Sequence, residues 1–259
     1  MEKMIDGIQF DISGYFAHFR KFYSNSSSLT YDFPPRTVIV GIIGAVLGLD
    51  KPSFPDIGIS VRIISPTRKI MQKINYINTK ELCESKKEKE MKKYRGQEPP
   101  KRYTQIPLEI LLPEGDKIRY RIYIWKADVT IEQLKHPVYP ISMGLSNFLA
   151  EINNVKSVKL EKVNSNRDVL IHSAVNTDYI DSLDFEYEKN RYGSDIMPVL
   201  LDKNRNLVLP GKYVYEVSGK PMKCILNVPY YKVYEANTNN SDLRYNGTNI
   251  VPFIVKDKT

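Results

Sequence analysis

Residues Tyr31–Asp50 read YDFPPRTVIVGIIGAVLGLD, a stretch with three glycines, a Pro-Pro pair and a single arginine. Three readings compete for it: a phosphate-cradling loop, a membrane span and a buried element. A membrane span needs about 20 apolar residues, and the run Val38–Leu49 has about half of that. A phosphate loop needs G-x-x-x-x-G-K-[ST], and a dinucleotide fold needs G-x-G-x-x-G. Here Gly48 is followed by Leu49 and Asp50, and neither pattern is present. A buried element remains. The β-branched Val38, Ile39, Val40, Ile42 and Ile43 favour a strand. The run is longer than the usual strand of about 5–6 residues, and Pro34-Pro35 suits a helix entry. The spacing therefore predicts a buried helix. Gly41, Gly44 and Gly48 fall at i, i+3 and i+7, so they share one helical face, which is expected to let the helix lie close to a sheet.

Working outward, Ile8–Ile12 alternates apolar and polar residues and reads as a first strand. Gly14–Thr30 ends in the polar run SNSSSLT and reads as a loop. Ile57–Ile64 and Lys69–Tyr76 read as strands joined by a turn at Ser65-Pro66-Thr67. Ile106–Pro113 and Ile118–Lys126 read as a hairpin across Glu114-Gly115-Asp116. In the second of these strands Ile118, Tyr120, Ile122 and Ile124 share one face, while Arg119, Arg121, Tyr123 and Trp125 share the other. That second face could serve as an RNA platform, although a covered sheet face is the commoner outcome. Ser142–Asn153 is expected to form a short helix capped by Ser146, with Phe148, Leu149 and Ile152 inward. Val155–Val163 is a further strand, and the chain beyond about residue 164 is strand-and-turn material.

Lys80–Arg102 breaks the pattern. Its part Lys86–Arg102 carries eight basic and three acidic residues, more than half of the surplus that gives the chain its net charge of +8. Lacking an apolar stripe, it cannot be a core element and is expected to project. The order of elements predicts an α+β chain with a split β-α-β-β-α-β arrangement. Residues 1–163 form the core, with an insertion at 80–105, and residues 164–259 form a smaller β-rich part.

The basic surplus points to a polyanionic partner, and 18 tyrosines supply rings for packing or stacking. The two cysteines, Cys83 and Cys224, form no CxxC pair, so neither a disulfide framework nor a zinc knuckle is indicated. No metal site or cofactor is expected. A reducing, cytoplasmic setting fits, and MEKMIDGIQFDISG has no signal-peptide pattern.

Three segments in order carry a family resemblance: FDISGYFAHFRKFYS, YDFPPRTVIVGIIGAVLGL and YPISMGLSNFLAEI. They are similar to the CRISPR-associated Cas-five family, subunits of type I Cascade complexes. That family's pattern is a first strand ending in G-x-[FY]-A-x-F-[RK], then a Pro-Pro-Arg-Thr entry to an apolar helix, and later P-x-x-L-G-x-S-x-F. Met143 stands where leucine is common. The resemblance implies a ferredoxin-like, RRM-related core with a projecting basic thumb. It also implies a role in capping the 5′ handle of CRISPR RNA, beside the backbone subunit and the large subunit of Cascade and, through the assembled complex, target DNA.

A single-stranded handle is held by phosphate contacts, stacking and base-edge bonds. Arg36 and Thr37 open the predicted helix, where free N–H groups and the dipole favour a phosphate. The alternatives are an Arg36–Asp32 pair and a plain N-cap at Thr37. Arg20 and Lys21 lie among Phe19, Phe22 and Tyr23, a mixture suited to phosphate-and-stack binding or to a solvated loop. Ser142, Gly144 and Ser146 could offer backbone N–H groups at a helix start. Lys92, Lys93, Arg95, Lys101 and Arg102 form the cationic arm. The alternative function is a metal-independent endoribonuclease. A branch of the family cuts CRISPR RNA with a Tyr/Lys/His-type site, for which Lys135, His136 and Tyr31, or Tyr139 in its place, are the candidates.

Overall fold

The computed structural model describes residues 4–25, 27–77, 103–164, 166–202, 204–236 and 243–254. In chain order they form β1 (Ile5–Gly14), β2 (Phe19–Arg20), β3 (Thr30–Tyr31), α1 (Arg36–Leu47), β4 (Gly58–Ile63), β5 (Thr67–Ile77), β6 (Tyr103–Pro113), β7 (Ile118–Trp125), α2 (Ile131–Lys135) and β8 (Glu151–Val163). Then come β9 (Val169–Ile171), β10 (Val175–Asn176), β11 (Ile180–Leu183), β12 (Tyr192–Leu201), β13 (Leu207–Glu216), β14 (Met222–Leu226), β15 (Tyr230–Ala236) and β16 (Leu243–Ile250). The described chain is therefore β-rich, with one full helix and one short one. None of its helices is long and apolar enough to cross a membrane.

The helix predicted from the Pro-Pro pair is α1. Pro35 occupies its N-cap in extended backbone, with φ −59° and ψ 160°. Gly48 ends it at φ 72°, and Leu49 N–H donates to the Gly44 carbonyl over 2.8 Å, closing the last turn. Ile39, Ile42, Ile43 and Val46 are buried in the main core with Phe10, Ile12, Tyr120 and Ile122. The glycines act differently from expectation. Gly41 faces open space, and a methyl group at Gly44 would collide with the Pro52 ring. Gly44 thus makes room for a loop and Gly48 stops the helix; neither sets a close approach to the sheet.

The largest sheet has six strands in the order β16-β15-β8-β1-β7-β4. Every neighbouring pair in it is antiparallel. β7 lies between β1 and β4, so those two run parallel, and α1 crosses from one to the other. The register Phe10↔Ile122↔Val61 aligns apolar residues on the α1 side.

The expected hairpin between Ile106–Pro113 and Ile118–Lys126 is corrected. Both strands exist, but β6 pairs with β5 from Thr67↔Pro113 to Ile77↔Tyr103, while β7 pairs with β1 and β4. β5–β6 is a separate ribbon. Burial decides the partner: β7 buries its whole apolar face, whereas Arg68, Lys69, Ile70, Met71 and Lys73 of β5 are exposed. The basic segment Lys86–Arg102 lies between β5 and β6 in the chain, outside the described residues.

The helix expected over Ser142–Asn153 is also corrected. Residues 140–150 form a folded loop with a bridge Ser142↔Leu149, and β8 begins at Glu151. Bonds within the loop, and one from the distant His18, take the backbone groups a helix would use. Met143 N–H donates to Phe148 O over 2.8 Å, Ala150 N–H donates to Ile141 O over 2.9 Å, and the Met143 carbonyl accepts from His18 N–H. The boundary expected after residue 163 is not a packing boundary. β15 and β16 extend the same sheet beside β8, and Met197, Val199, Tyr213, Tyr215 and Phe253 join the main core.

Candidate nucleic-acid interface

Two loops and the base of the β5–β6 ribbon meet at one place. The first loop is the turn after β1, Gly14–His18; the second is Ile141–Ala150. A Cβ at Gly14 would sit 2.5 Å from Met143 Cε and 2.9 Å from the Leu149 carbonyl oxygen. Gly144 has φ 96°, and a methyl group there would overlap the His18 carbonyl oxygen. The two glycines let the loops interlock. His18 N–H donates to Met143 O over 3.0 Å, and the Phe16 and Phe148 ring centroids are 5.7 Å apart.

The ribbon is stitched to the same turn. Ala17 and Leu111 exchange both backbone bonds, at 3.2 and 2.9 Å. His18 is buried; its Nδ1 lies 2.7 Å from the Glu109 carbonyl oxygen and its Nε2 3.0 Å from Ser28 Oγ. A carbonyl can only accept, so Nδ1 carries the proton and Nε2 accepts from the hydroxyl. Burial, the leading cause, also lowers the His18 pKa and keeps the ring neutral. His18 is thus a structural pin.

This pinned junction presents exposed apolar groups. Tyr15 is 57% exposed, Phe16 46% and Leu149 63%. The Lys117 ammonium lies 5.3 Å from the Tyr15 ring centroid and 3.1 Å from Glu151 Oε2. Gly144, Ser146 and Asn147 are exposed alongside, and Ser142 is half-buried. Since no helix starts here, these residues offer loop backbone but no helix dipole. Tyr15, Phe16 and Lys117 are not singled out by the sequence pattern as binding residues, and Leu149, expected on the inward face of a helix, is exposed. The available signal was the pair of adjacent rings just past the end of β1.

Arg20 is exposed and bonds only the Ser24 carbonyl of its own turn, at 3.3 Å; no carboxylate lies within ion-pair distance among the described residues. Lys21 is not free. Its ammonium meets Asp195 Oδ2 at 2.6 Å, the other Asp195 oxygen accepts from the Tyr23 hydroxyl at 2.6 Å, and the Lys21 side chain is 15% exposed. Burial alone would lower the Lys21 pKa, but the Asp195 bond and charge outweigh it and hold the ammonium charged.

Arg36 is the clearest correction. It is 3% exposed. Its Nη2 donates to the Phe54 carbonyl at 2.8 Å and reaches Pro55 O and Ile57 O at 3.4 Å; its Nη1 donates to Val199 O at 3.3 Å. Its guanidinium is turned inward to these carbonyls, and it makes no ion pair with Asp32 among the described residues. The Asp32 carboxylate is held by the Tyr215 hydroxyl and by Lys69 at 3.0 Å. Thr37 is half-buried inside the first turn, and the cap position belongs to Pro35 with no side-chain cap bond.

The face of Arg119, Arg121, Tyr123 and Trp125 is largely covered. Asp11 clamps Arg121 with two bonds of 2.7 and 2.9 Å. Tyr123 and Trp125 are buried with Val158, Leu160, Val233 and Ile250 inside the curl of the sheet. Only Arg119 stays well exposed. Lys92, Lys93, Arg95, Lys101 and Arg102 lie outside the described residues.

Tyr31 does not share the solvent-exposed setting of Lys135 and His136. Tyr31 is fully buried, donates its hydroxyl to Ile196 O at 2.8 Å, and has its pKa pushed far up by burial. Lys135 and His136 stand in solvent at the end of α2, 3.1 and 3.7 Å from Glu132 carboxylate oxygens. Tyr139, the other third member, is 48% exposed. Among the described residues no His/Cys/Asp/Glu group could hold a metal. Cys224 is buried, and its thiol pKa is pushed up to about 12 by that burial.

The fold is shared with solved CRISPR proteins. A CRISPR protein from Archaeoglobus fulgidus matches with a TM-score of 0.56 at 12% identity, covering 96% of this chain and 99% of that one. A chain of a structure described as a CRISPR RNA-guided surveillance complex matches with a TM-score of 0.50 at 11% identity, covering 85% and 91% of the two chains. No curated protein sequence matches. The family model described as CRISPR-associated protein (Cas_Cas5) matches residues 7–205, which span all three motifs, the interlocked loops and the ribbon. The chain belongs to the Cas5 family of CRISPR-associated proteins.

Proposed function

We propose that this chain is a non-catalytic RNA-binding subunit of a type I CRISPR surveillance complex, capping the 5′ handle of CRISPR RNA and contacting the backbone and large subunits. The observation that carries the reading is the convergence of the first and third motifs, as interlocked loops, at the base of the ribbon that leads into the basic segment. A handle needs stacking surfaces beside cations, and this junction supplies rings, loop N–H groups and nearby Lys117 and Arg20. The strand order β8-β1-β7-β4, with α1 crossing from β1 to β4 and α2 between β7 and β8, supports a ferredoxin-like, RRM-related core. Target DNA would be met only through the assembled complex.

The burial of Tyr31 speaks against an acid–base site built on it, because a general acid or base must reach the reacting group; a site built on the exposed Tyr139 is decided by the assay. The test is incubation of the purified chain with a CRISPR repeat RNA in EDTA, followed by a binding titration with a synthetic RNA of the 5′-handle sequence. The expected result is intact repeat RNA and saturable, salt-sensitive binding. Cleavage at one position, lost in His136→Ala, would establish the endoribonuclease instead. Failure to bind RNA would reject both, and failure to co-purify with a Cascade backbone would reject the subunit reading.

A further inference from the structure

We infer that Tyr15 and Phe16 are a two-sided stacking platform for bases of a single-stranded RNA, an inference that rests on the RNA-binding reading above. The two rings lie on consecutive residues just past the end of β1, yet they lean apart: Tyr15 toward Lys117 and Phe16 toward Phe148. Each keeps about half of its surface in water. Exposing two adjacent rings forgoes burial that most chains would use. Here the exposure is built in. The Ala17–Leu111 bond pair, the His18–Met143 bond and the two interlocked glycines fix the backbone of the turn that carries the rings. A rigid ring loses little entropy when a base stacks on it.

The surroundings favour RNA over an apolar protein groove. Lys117 holds the Tyr15 ring from one side, and Arg20, without a carboxylate partner among the described residues, follows the same turn. Gly144, which lies against the turn, and Ser146 and Asn147 beside it are exposed. Rings supply sequence-tolerant stacking, while cations and loop amides hold the backbone.

The experiment uses the full chain and a fluorescent single-stranded RNA of the repeat's 5′-handle sequence, with 2-aminopurine placed in turn at each position. The variants are Tyr15→Ala, Phe16→Ala, Tyr15→Phe, Phe16→Tyr and Arg20→Ala, each checked for an unchanged melting temperature. Each alanine variant is expected to weaken binding about 10-fold, within the range for one lost base stack. It should also restore the emission of a 2-aminopurine quenched in the wild type. The aromatic swaps should bind as the wild type does. The salt slope should stay unchanged in the ring variants and fall in Arg20→Ala, because only the latter loses a phosphate contact. If wild-type protein binds the RNA and both alanine variants bind equally well, the platform is refuted while the RNA reading stands. Loss of co-purification with a partner subunit at unchanged RNA affinity would refute it in favour of a protein contact. If the wild type binds no RNA, both inference and reading fall.

Discussion

Replacing Arg36 by alanine separates a structural arginine from an RNA ligand. The guanidinium donates to four carbonyls, one at 2.8 Å and three at 3.3–3.4 Å. Those carbonyls belong to the chain after α1 and to β12, so a single side chain ties the helix start to both. A hydrogen bond to a charged group contributes about 1.5–3 kcal/mol. Counting the short bond in full and the three long ones together as one more gives about 3–6 kcal/mol. For a chain of this size each kcal/mol moves the melting temperature by about 2–4 °C, so Arg36→Ala should melt about 10 °C lower. Arg36→Lys keeps the charge but cannot span the same carbonyls, and should fall between the two. The assay is calorimetry beside an RNA titration below the variant's melting point. RNA affinity and its salt slope should both be retained. A melting temperature within about 2 °C of wild type, together with a salt slope reduced by about 0.7, would show that Arg36 faces a phosphate, and the structural reasoning would be wrong.

His172 is held neutral, with its pKa lowered to about 4 by burial first and the Arg62 charge second. The unfolded chain takes up that proton below about 6.5, so stability is complete above that pH and falls as pH drops toward 4. Urea titrations should show about 2 kcal/mol lost between pH 7.5 and pH 5, and a flatter profile in His172→Gln. Gly144→Ala forces a side chain against the His18 carbonyl at positive φ, and should cost about 2–3 kcal/mol and weaken RNA binding. Gly41→Ala, facing open space on the exposed side of α1, should instead stabilise by about 0.5–1 kcal/mol, as read by thermal melts. His136→Ala, at an exposed position, should change stability by less than about 0.5 kcal/mol and leave handle binding intact.

The local pattern by itself determined α1, the strands β1, β4, β5, β6, β7 and most of β8, because each depends on periodicity and end signals within a few residues. Pro35 and Gly48 bound the helix as their backbone preferences require. The apolar face Ile118, Tyr120, Ile122 and Ile124 is buried as its alternation predicts. The family resemblance, too, lay in three short segments.

Tertiary structure decided who pairs with whom. The strand β6 carries the same local pattern whether it pairs with β7 or with β5, and only the competition for burial sends it to the ribbon. Leu149 suits a helix face by its spacing, but the Ile141–Ala150 loop is shaped by its own internal bonds and by one from the distant His18, which no local signal records. The site shows the same division. An arginine at a helix start is chemically suited to a phosphate, and nothing in PPRT says that Phe54 and Val199 will surround it. Conversely, nothing in the Gly14–Thr30 loop pattern says that Tyr15 and Phe16 will stand at the surface while Ala17, His18 and Phe19 are buried. Residue types set what each side chain could bind; long-range packing decided which of them reach solvent to bind it.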